Sequence, residues 1–240
     1  MQNEKSSLEN EVQNEKCWLE NECKKLHCND PQGCLIKYKL NYLYDEAGIP
    51  EKKRKTQELF TDLDGTDRTE FIKLKQIQNN ILDFVNSGSN LYIYSLQAGN
   101  GKTSWSLRLA QAYLKKIWLK TELKCRVLFI SVPSFLLALK ANISEPNEYY
   151  KHINENVLSC DLVIWDDIGS KIGTEFEISH LLSIIDARIN MGKANIYTSN
   201  VLPEQLGNLL DIRLGSRIAN ASTCIQFKGG DKRSLTLADN

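Results

Sequence analysis

The chain has 240 residues, of which 42% are apolar and 25% are charged, a composition typical of soluble globular proteins rather than disordered ones. Its 30 basic side chains are balanced by 30 acidic ones, which excludes a globally basic surface for nucleic acid and leaves only local patches. The sequence contains neither an apolar run long enough for a transmembrane helix nor an apolar N-terminal stretch of the kind that directs secretion. We therefore expect a cytoplasmic protein with no membrane contact.

A cysteine cluster lies near the N-terminus. In a reducing compartment, clustered cysteines favour metal binding over disulfides. Four thiolates suit tetrahedral Zn²⁺, and a segment this short has little core of its own, so the metal would supply folding energy. The spacing is not the common knuckle pattern, and an iron–sulfur cluster or unligated thiols stay open as alternatives. The predicted ligands are Cys17, Cys23, Cys28 and Cys34.

The character of the sequence changes after this cluster. Pro50 is followed by four basic residues at 52–55, and proline combined with charge is typical of a linker. Residues 70–88 then show the apolar spacing of a helix. We predict a Cys-rich N-terminal region over residues 1–46, a linker over 47–69 and the main folded core over 70–240.

From residue 91 onward, short runs rich in β-branched and aromatic residues alternate with helical patterns. Continuous apolar strands joined by helices indicate a parallel sheet covered on both faces. The sequence thus predicts an α/β fold with five parallel strands between helices. The chain ends soon after the fifth strand, so we expect no C-terminal lid domain. The predicted strands are 91–95, 126–132, 162–166, 195–199 and 223–227.

A phosphate-binding loop is predicted where the first strand meets the following helix. Residues 91–103 read LYIYSLQAGNGKT, the strand–loop–helix context of a Walker A motif. Backbone N–H groups of such a loop wrap the phosphates of ATP, Lys102 would reach the β- and γ-phosphates, and the Thr103 hydroxyl would bind Mg²⁺. Leu96 stands where the motif has glycine, which predicts weaker nucleotide affinity. The expected nucleotide contacts are Ala98, Gly99, Asn100, Gly101, Lys102, Thr103 and Ser104.

Acidic and polar residues follow the third and fourth strand candidates. The run LVIWDD at 162–167 describes a buried strand that delivers a carboxylate at its C-terminal end, where open α/β sheets bind ligands. We expect Asp166 to hold Mg²⁺ and Asp167 to polarise the attacking water. Many ATPases use glutamate at the second position, so the shorter Asp167 predicts slow hydrolysis. Asn200 ends the following strand, where an amide can contact the γ-phosphate or the water.

Five segments occur in the order AGIP (47–50), GNGKT (99–103), VIWDDIG (163–169), TSN (198–200) and RLGSRI (213–218). Together they resemble the AAA+ ATPases of the bacterial and phage replicative helicase loaders, the DnaC/DnaI type, over residues 47–235. The resemblance implies that Asn200 acts as sensor 1 and Arg217 as an arginine finger, with Arg213 as second choice. It also implies that Arg233 contacts the nucleotide.

The same resemblance implies partners and a function. In that family the N-terminal part, which in some members is a small zinc domain, binds the replicative DnaB-type helicase. The AAA+ part binds single-stranded DNA when ATP is bound, and subunits associate through the ATP site. The expected activity is ATP-dependent loading of the helicase onto single-stranded DNA during replication initiation. Residues 133–157, which hold basic and aromatic side chains, are the expected DNA contact.

Two other functions stay open at this stage. One is an IstB-type transposition helper ATPase, which shares the core and differs in partner. The other is a nucleotide-gated DNA-binding module with negligible turnover, favoured by Leu96 and Asp167. ATPase assays separate a binding module from an enzyme, and the identity of the protein partner separates a loader from a transposition helper.

Overall fold

The computed structural model describes residues 34–54, 65–171 and 173–231 of the chain. The helices of this part are α1 (Leu35–Glu46), α2 (Arg68–Asn79), α3 (Ile81–Asn86), α4 (Lys102–Ile117), α5 (Val132–Ala141), α6 (Glu148–Asn156), α7 (Glu175–Asn190), α8 (Pro203–Leu209) and α9 (Ile212–Ala221). The strands are β1 (Asn90–Tyr94), β2 (Val127–Ser131), β3 (Leu162–Asp166), β4 (Ala194–Ser199) and β5 (Ser222–Gln226). A single 3-10 turn, Glu51–Lys53, follows α1.

The five strands form one parallel sheet in the order β2-β3-β4-β1-β5. In its register, Leu91 of β1 stands between Ile196 of β4 and Thr223 of β5. The predicted α/β fold, with a five-stranded parallel sheet between helices, is confirmed. Because the strands are parallel, the carboxyl ends of β1, β3 and β4 open at one edge, where α/β sheets of this kind bind their ligands.

Helices cover both faces of the sheet, which is why its strands read as continuous apolar runs. The side chains of β3 alternate between the two faces, and four in succession are fully buried. Leu162 and Ile164 pack into one cluster with α1, α2 and α4. Val163 and Trp165 pack into a second cluster with α5, α7, α8 and α9.

Helix α1 packs into the same core as the sheet. Leu40 and Tyr44 are fully buried, as is Ile49 beyond the end of the helix. The backbone N–H of Phe129 in β2 donates to the carbonyl oxygen of Ala47 at 2.7 Å, so the chain lies along the outer edge of β2. The expected boundary between residues 46 and 47 falls within this packed segment, and the division of the chain into three regions stays a prediction.

The helical pattern at residues 70–88 is divided between two helices. Asn80 adopts φ of −105° and ψ of 32°, and this residue ends α2 and precedes α3. Phe71 of α2 and Ile81 of α3 are both buried in the core beside α4. The apolar spacing therefore marked the correct buried faces, although one residue interrupts the helix.

A buried arginine joins α7 to the sheet. Arg188 is fully buried, and its guanidinium donates to Asn195 Oδ1 at 2.8 Å, to the Ala194 carbonyl at 2.7 Å and to the Cys160 carbonyl at 3.1 Å. The side-chain amide of Asn195 in turn donates to Asn90 Oδ1 at 2.7 Å. These bonds offset the free-energy cost of burying the charged guanidinium.

None of the helices described is both long and apolar enough to cross a membrane.

Candidate functional site

The loop between β1 and α4 has the conformation that a phosphate loop requires. Gly101 caps α4 with φ of +97°, and Gly99 adopts φ of +75°, a region that favours glycine because a Cβ is strained there. A Cβ on Gly99 would also lie 1.8 Å from a carboxylate oxygen of Asp231. Leu96, the departure from the motif, is 65% exposed. The loop therefore keeps glycine where its backbone needs it and turns Leu96 toward solvent.

Lys102 begins α4, and its side chain is largely buried. Its ammonium donates to the Gln97 carbonyl at 3.0 Å and to Asn100 Oδ1 at 3.2 Å. These bonds hold the charge within the curve of the loop, beside the helix N-terminus. Backbone N–H groups and the positive end of the helix dipole favour an anion at the same place. The arrangement suits a nucleotide polyphosphate.

Asp166 is the point at which three elements meet. Its Oδ1 accepts a hydrogen bond from the Thr103 hydroxyl of α4 at 2.8 Å and another from the Thr198 hydroxyl of β4 at 2.7 Å. Burial raises the pKa of Asp166, while the two hydroxyl donors oppose that rise and the nearby charge of Asp167 adds to it. A hydroxyl and a carboxylate oxygen side by side are the hard donors that Mg²⁺ prefers. Thr103 and Asp166 thus fit a magnesium ion, whose positive charge would offset the cost of burying the ionised carboxylate of Asp166.

Asp167 has the positive φ of 62° that sets it apart from the other non-glycine residues of the described chain. Its backbone N–H donates to Thr198 Oγ1 at 2.9 Å, and the next N–H, that of Ile168, donates to the Thr198 carbonyl at 2.9 Å. Asn200 donates to Asp167 Oδ1 through its side-chain amide at 3.2 Å. Aspartate tolerates this left-handed conformation better than most residues. The turn brings the carboxylate and the Asn200 amide together beside Asp166.

These groups surround one cavity of about 430 Å³. Nearly all of the predicted nucleotide contacts and two of the three predicted catalytic residues are brought together here. Lys53 and Thr198 also line the cavity, and the sequence analysis did not assign them to the site. The lining residues are Lys53, Ala98, Gly99, Asn100, Gly101, Lys102, Thr103, Ser104, Asp166, Asp167, Thr198 and Asn200.

The two additional residues differ in how well the sequence could have revealed them. Thr198 lies two residues before Asn200 at the end of the same strand, so the strand-end argument that selected Asn200 applies to it too. Lys53 belongs to the basic run after Pro50, nearly fifty residues from the phosphate loop. Only the packing of α1 against the core brings that run to the cavity.

The two candidates for the arginine finger lie apart from the site. Arg217 is on α9 and forms an ion pair with Asp186 of α7, with Nε and Oδ1 3.1 Å apart. Arg213, the second choice, pairs with Asp211 at the start of the same helix. Neither arginine lines the cavity of its own chain. Arg233 lies outside the described residues.

Three of the four predicted metal ligands, Cys17, Cys23 and Cys28, also lie outside the described residues. Cys34 is described, is half-buried and directly precedes α1. Within the described ranges, no group of three or more potential ligands is positioned to hold a metal ion.

The segment expected to contact DNA folds as α5 and α6. Tyr150 packs against Phe135, with ring centroids 6.0 Å apart, and His152 hydrogen-bonds the Glu46 carbonyl at 2.8 Å. These two side chains therefore support the fold. The residues of the segment that remain exposed for an external ligand include Lys140, Tyr149 and Lys151.

Neither a known family model nor a curated protein matches the sequence. Solved structures, in contrast, match the fold. The DnaC helicase loader is 19% identical, with a TM-score of 0.59, over 74% of this chain and 99% of that one. DnaI is 19% identical, with a TM-score of 0.57, over 77% of this chain and 94% of that one.

A third similar structure is the replication initiator DnaA bound to AMPPCP and single-stranded DNA. It is 21% identical, with a TM-score of 0.52, over 68% of this chain and 47% of that one. At such identities the likeness is one of fold. The chain therefore shares the fold of these neighbours, and the resemblance to the DnaC/DnaI type is confirmed as a likeness of fold.

Proposed function

We propose that this protein is an ATP-dependent loader that places a replicative DnaB-type helicase on single-stranded DNA during replication initiation. The observation that carries the proposal is the cavity in which the phosphate loop, Asp166 and Asn200 converge. The fold adds support, because it matches 99% of the solved chain of the DnaC helicase loader. A cytoplasmic location follows from the proposed role.

In the proposed mechanism, the loop and Lys102 bind the β- and γ-phosphates of ATP. Thr103 and Asp166 would hold Mg²⁺, and the ion would supply positive charge to offset that of the phosphates. Asp167 orients the water that attacks the γ-phosphorus. The Asn200 amide donates to the Asp167 carboxylate at 3.2 Å and so holds that carboxylate in position. Little covalent chemistry is asked of the protein, which is typical of phosphoryl transfer.

The nucleotide site is proposed to be shared between subunits. Neither Arg217 nor Arg213 lines the cavity of its own chain, so an arginine finger would have to come from a neighbouring subunit. We assign that role to Arg217. Arg233 is the proposed further nucleotide contact near the C-terminus.

The proposed DNA contact is the exposed face of α5 and α6. Lys140 and Lys151 can bind phosphates, and Tyr149, which is 41% exposed, can stack on a base. The similar DnaA structure, which contains both AMPPCP and single-stranded DNA, supports a binding mode in which both ligands are held by one fold. Because the net charge of the chain is zero, we expect modest affinity that depends on bound ATP.

The N-terminal region is proposed to bind the helicase. Its four cysteines, Cys17, Cys23, Cys28 and Cys34, are proposed to hold one Zn²⁺ ion, which would stabilise a segment too short to build a core. Helix α1, the C-terminal part of this region, packs into the core that carries the nucleotide site. Helicase binding and nucleotide binding would therefore be joined by a packed segment rather than by a flexible tether.

One observation favours a second candidate, a nucleotide-gated DNA-binding module with negligible turnover. Asp167 has a shorter side chain than the glutamate of many ATPases, and it already accepts a hydrogen bond from Asn200. Such a protein would bind ATP and DNA without measurable hydrolysis.

The test combines pull-down from a host lysate with steady-state ATPase assays. Recovery of the replicative helicase, together with hydrolysis stimulated by helicase and single-stranded DNA, supports the loader. Recovery of a transposase in place of the helicase overturns it in favour of a transposition helper. ATP-dependent DNA binding without turnover in any combination supports the binding module. Lys102→Ala serves as the control without nucleotide binding.

A further inference from the structure

One lysine reaches the cavity from outside the phosphate loop and the strand ends. Lys53 ends the 3-10 turn that follows α1, and it lines the cavity beside Asp166 and Asp167. Its neighbour Lys52, on the same turn, does not line the cavity. The basic run after Pro50 therefore presents one of its charges to the nucleotide site.

The backbone of Lys53 is anchored to the helix that carries the phosphate loop. Gln111 of α4 is nearly buried, and its side-chain amide donates to the Lys53 carbonyl at 2.6 Å. The ammonium of Lys53 lies over the ring of Phe129, 6.0 Å from its centroid, a distance at which a cation is attracted to an aromatic face. The first contact fixes the backbone of Lys53, and the second holds its ammonium beside β2.

The residues just before this turn are also held firmly. The Glu46 carbonyl accepts hydrogen bonds from His152 at 2.8 Å and from the Cys125 thiol at 3.4 Å. The guanidinium of Arg54 donates to the Ile49 carbonyl at 3.0 Å and pairs with Asp45. The bonds from His152 and Cys125 join the segment to the core, and those of Arg54 hold the segment together internally, so the position of Lys53 depends on how residues 34–54 are docked.

Lys53 adds a positive charge to a cavity that also contains acidic side chains. Among the described residues, the lining contains two cations, Lys53 and Lys102, and two anions, Asp166 and Asp167. The charge of Lys53 acts on the pKa of Asp166 and opposes the rise caused by burial. Lys53 and Asp166 line the same cavity, so the ammonium lies within electrostatic reach of the end of β3. Lys102, in contrast, is enclosed by the loop.

We propose that Lys53 binds the terminal phosphate of a nucleoside triphosphate and thereby couples the docking of residues 34–54 to the nucleotide state. The inference rests on the proposed nucleotide site and deepens it. A nucleoside diphosphate lacks the terminal phosphate that Lys53 contacts. Hydrolysis therefore removes the electrostatic attraction between residues 34–54 and the nucleotide. Because such coupling is reciprocal, a partner that displaces residues 34–54 weakens ATP binding.

The test compares ATP and ADP affinities of the full chain by titration with fluorescent analogues in the presence of Mg²⁺. Lys53→Ala is expected to weaken ATP binding roughly tenfold and to leave ADP binding within about a factor of two. Lys53→Arg keeps the charge and is expected to retain most of the ATP affinity. The matched control is Lys52→Ala, which removes an equal charge from the same turn and is expected to change neither affinity.

Backbone amide exchange supplies a second readout. In the wild-type protein, ATP is expected to slow exchange over residues 47–54 more than ADP does, and Lys53→Ala is expected to abolish that difference. Equal weakening of ATP and ADP, or equal effects of Lys53→Ala and Lys52→Ala, overturns the inference while leaving the nucleotide site intact. If the wild-type protein binds neither nucleotide, the proposed function itself fails, and the role of Lys53 fails with it.

Discussion

The hydroxyl of Thr103 donates a 2.8 Å hydrogen bond to Asp166 Oδ1, joining residues 63 positions apart in the sequence. The bond connects the first turn of α4 to the C-terminal end of β3. Thr198 of β4 donates to the same oxygen at 2.7 Å. The phosphate loop and the two strand ends are thus held as one unit around a buried carboxylate, which is well placed for Mg²⁺ and costly to keep ionised.

Asp166→Asn is expected to stabilise the nucleotide-free protein while abolishing its stabilisation by Mg²⁺ and ATP. Burial raises the pKa of Asp166 in the folded state, so the ionised carboxylate reduces stability above its folded pKa. That deficit shrinks as the pH falls toward the unfolded pKa, because both states then bind the proton. Thermal unfolding at several pH values should show a higher Tm for Asp166→Asn near pH 8, with the difference fading toward acid.

Asp83→Asn is the matched control for this prediction. Asp83 is exposed on α3, so its replacement should change neither the pH dependence nor the increase in Tm caused by Mg²⁺ and ATP. A variant Asp166→Asn that is less stable than the wild type at pH 8 contradicts the argument. In that case the two hydroxyl donors outweigh the cost of burial.

Lys102→Ala is expected to lose ATP binding and to keep the fold. The Lys102 ammonium is held by the Gln97 carbonyl and by Asn100, and removing it takes away the cation that faces the β- and γ-phosphates. We expect at least about a hundredfold weaker binding in fluorescent-nucleotide titrations, with little change in far-UV circular dichroism. Lys120→Ala, near the far end of α4, is the control with normal affinity. Unchanged affinity of Lys102→Ala would show that the loop is not a nucleotide site.

The sequence was informative wherever function depends on short local patterns. The strand–loop–helix at Lys102 and the buried strand ending in Asp166 were both recognised because each pattern is contiguous. Lys53 was missed because it reaches the site only through the tertiary packing of α1. The break at Asn80 was missed because apolar spacing specifies the buried face of a helix and not its continuity.

Gly215 shows that a residue within a motif can have a packing role. The motif RLGSRI was read for its arginines, yet a Cβ on Gly215 would lie 2.4 Å from the backbone nitrogen of Gly207 in α8. In an exposed helix, glycine to alanine stabilises by about 1 kcal/mol. Here we expect Gly215→Ala to destabilise by about 2 kcal/mol or more, because the two helix backbones must separate.

Urea unfolding measures this change, and its sign distinguishes packing from helix propensity. Ser216→Ala, at an exposed position of the same helix, is the control and should change stability by less than about 0.5 kcal/mol. A Gly215→Ala protein more stable than the wild type would indicate that α8 and α9 are free to move apart.

Purified, reduced protein is expected to carry about one Zn²⁺ per chain. Cys17→Ser or Cys34→Ser should lose the metal and the helicase interaction while ATP binding stays intact, because the cluster lies N-terminal to the nucleotide site. Elemental analysis and pull-down measure both effects. Cys224→Ser, which alters an exposed cysteine of β5, is the control that keeps the metal. Freshly prepared protein without metal contradicts the zinc assignment, and iron in its place favours an iron–sulfur cluster.

Arg217→Ala is expected to bind ATP normally and to lose the hydrolysis that helicase and DNA stimulate. The Arg217 side chain is 56% exposed and pairs with Asp186, outside the cavity of its own chain, so we expect it to act on the nucleotide of a neighbouring subunit. A guanidinium that stabilises transition-state charge contributes on the order of 10³-fold or more to turnover. Arg213→Ala is the comparison, since Arg213 lies on the same helix and is the second choice for the role.

Mixing subunits tests whether Arg217 acts in trans. Asp167→Asn lacks the group that orients water but keeps its arginine, whereas Arg217→Ala keeps the water-orienting site and lacks the arginine. A stoichiometric mixture of the two inactive proteins should regain part of the stimulated ATPase rate, because one of the mixed interfaces has both groups intact. If the mixture stays inactive and Arg217→Ala weakens ATP binding in the isolated monomer, Arg217 acts on its own nucleotide. The finger role then passes to Arg213, provided that Arg213→Ala shows the loss of stimulated turnover with normal ATP affinity.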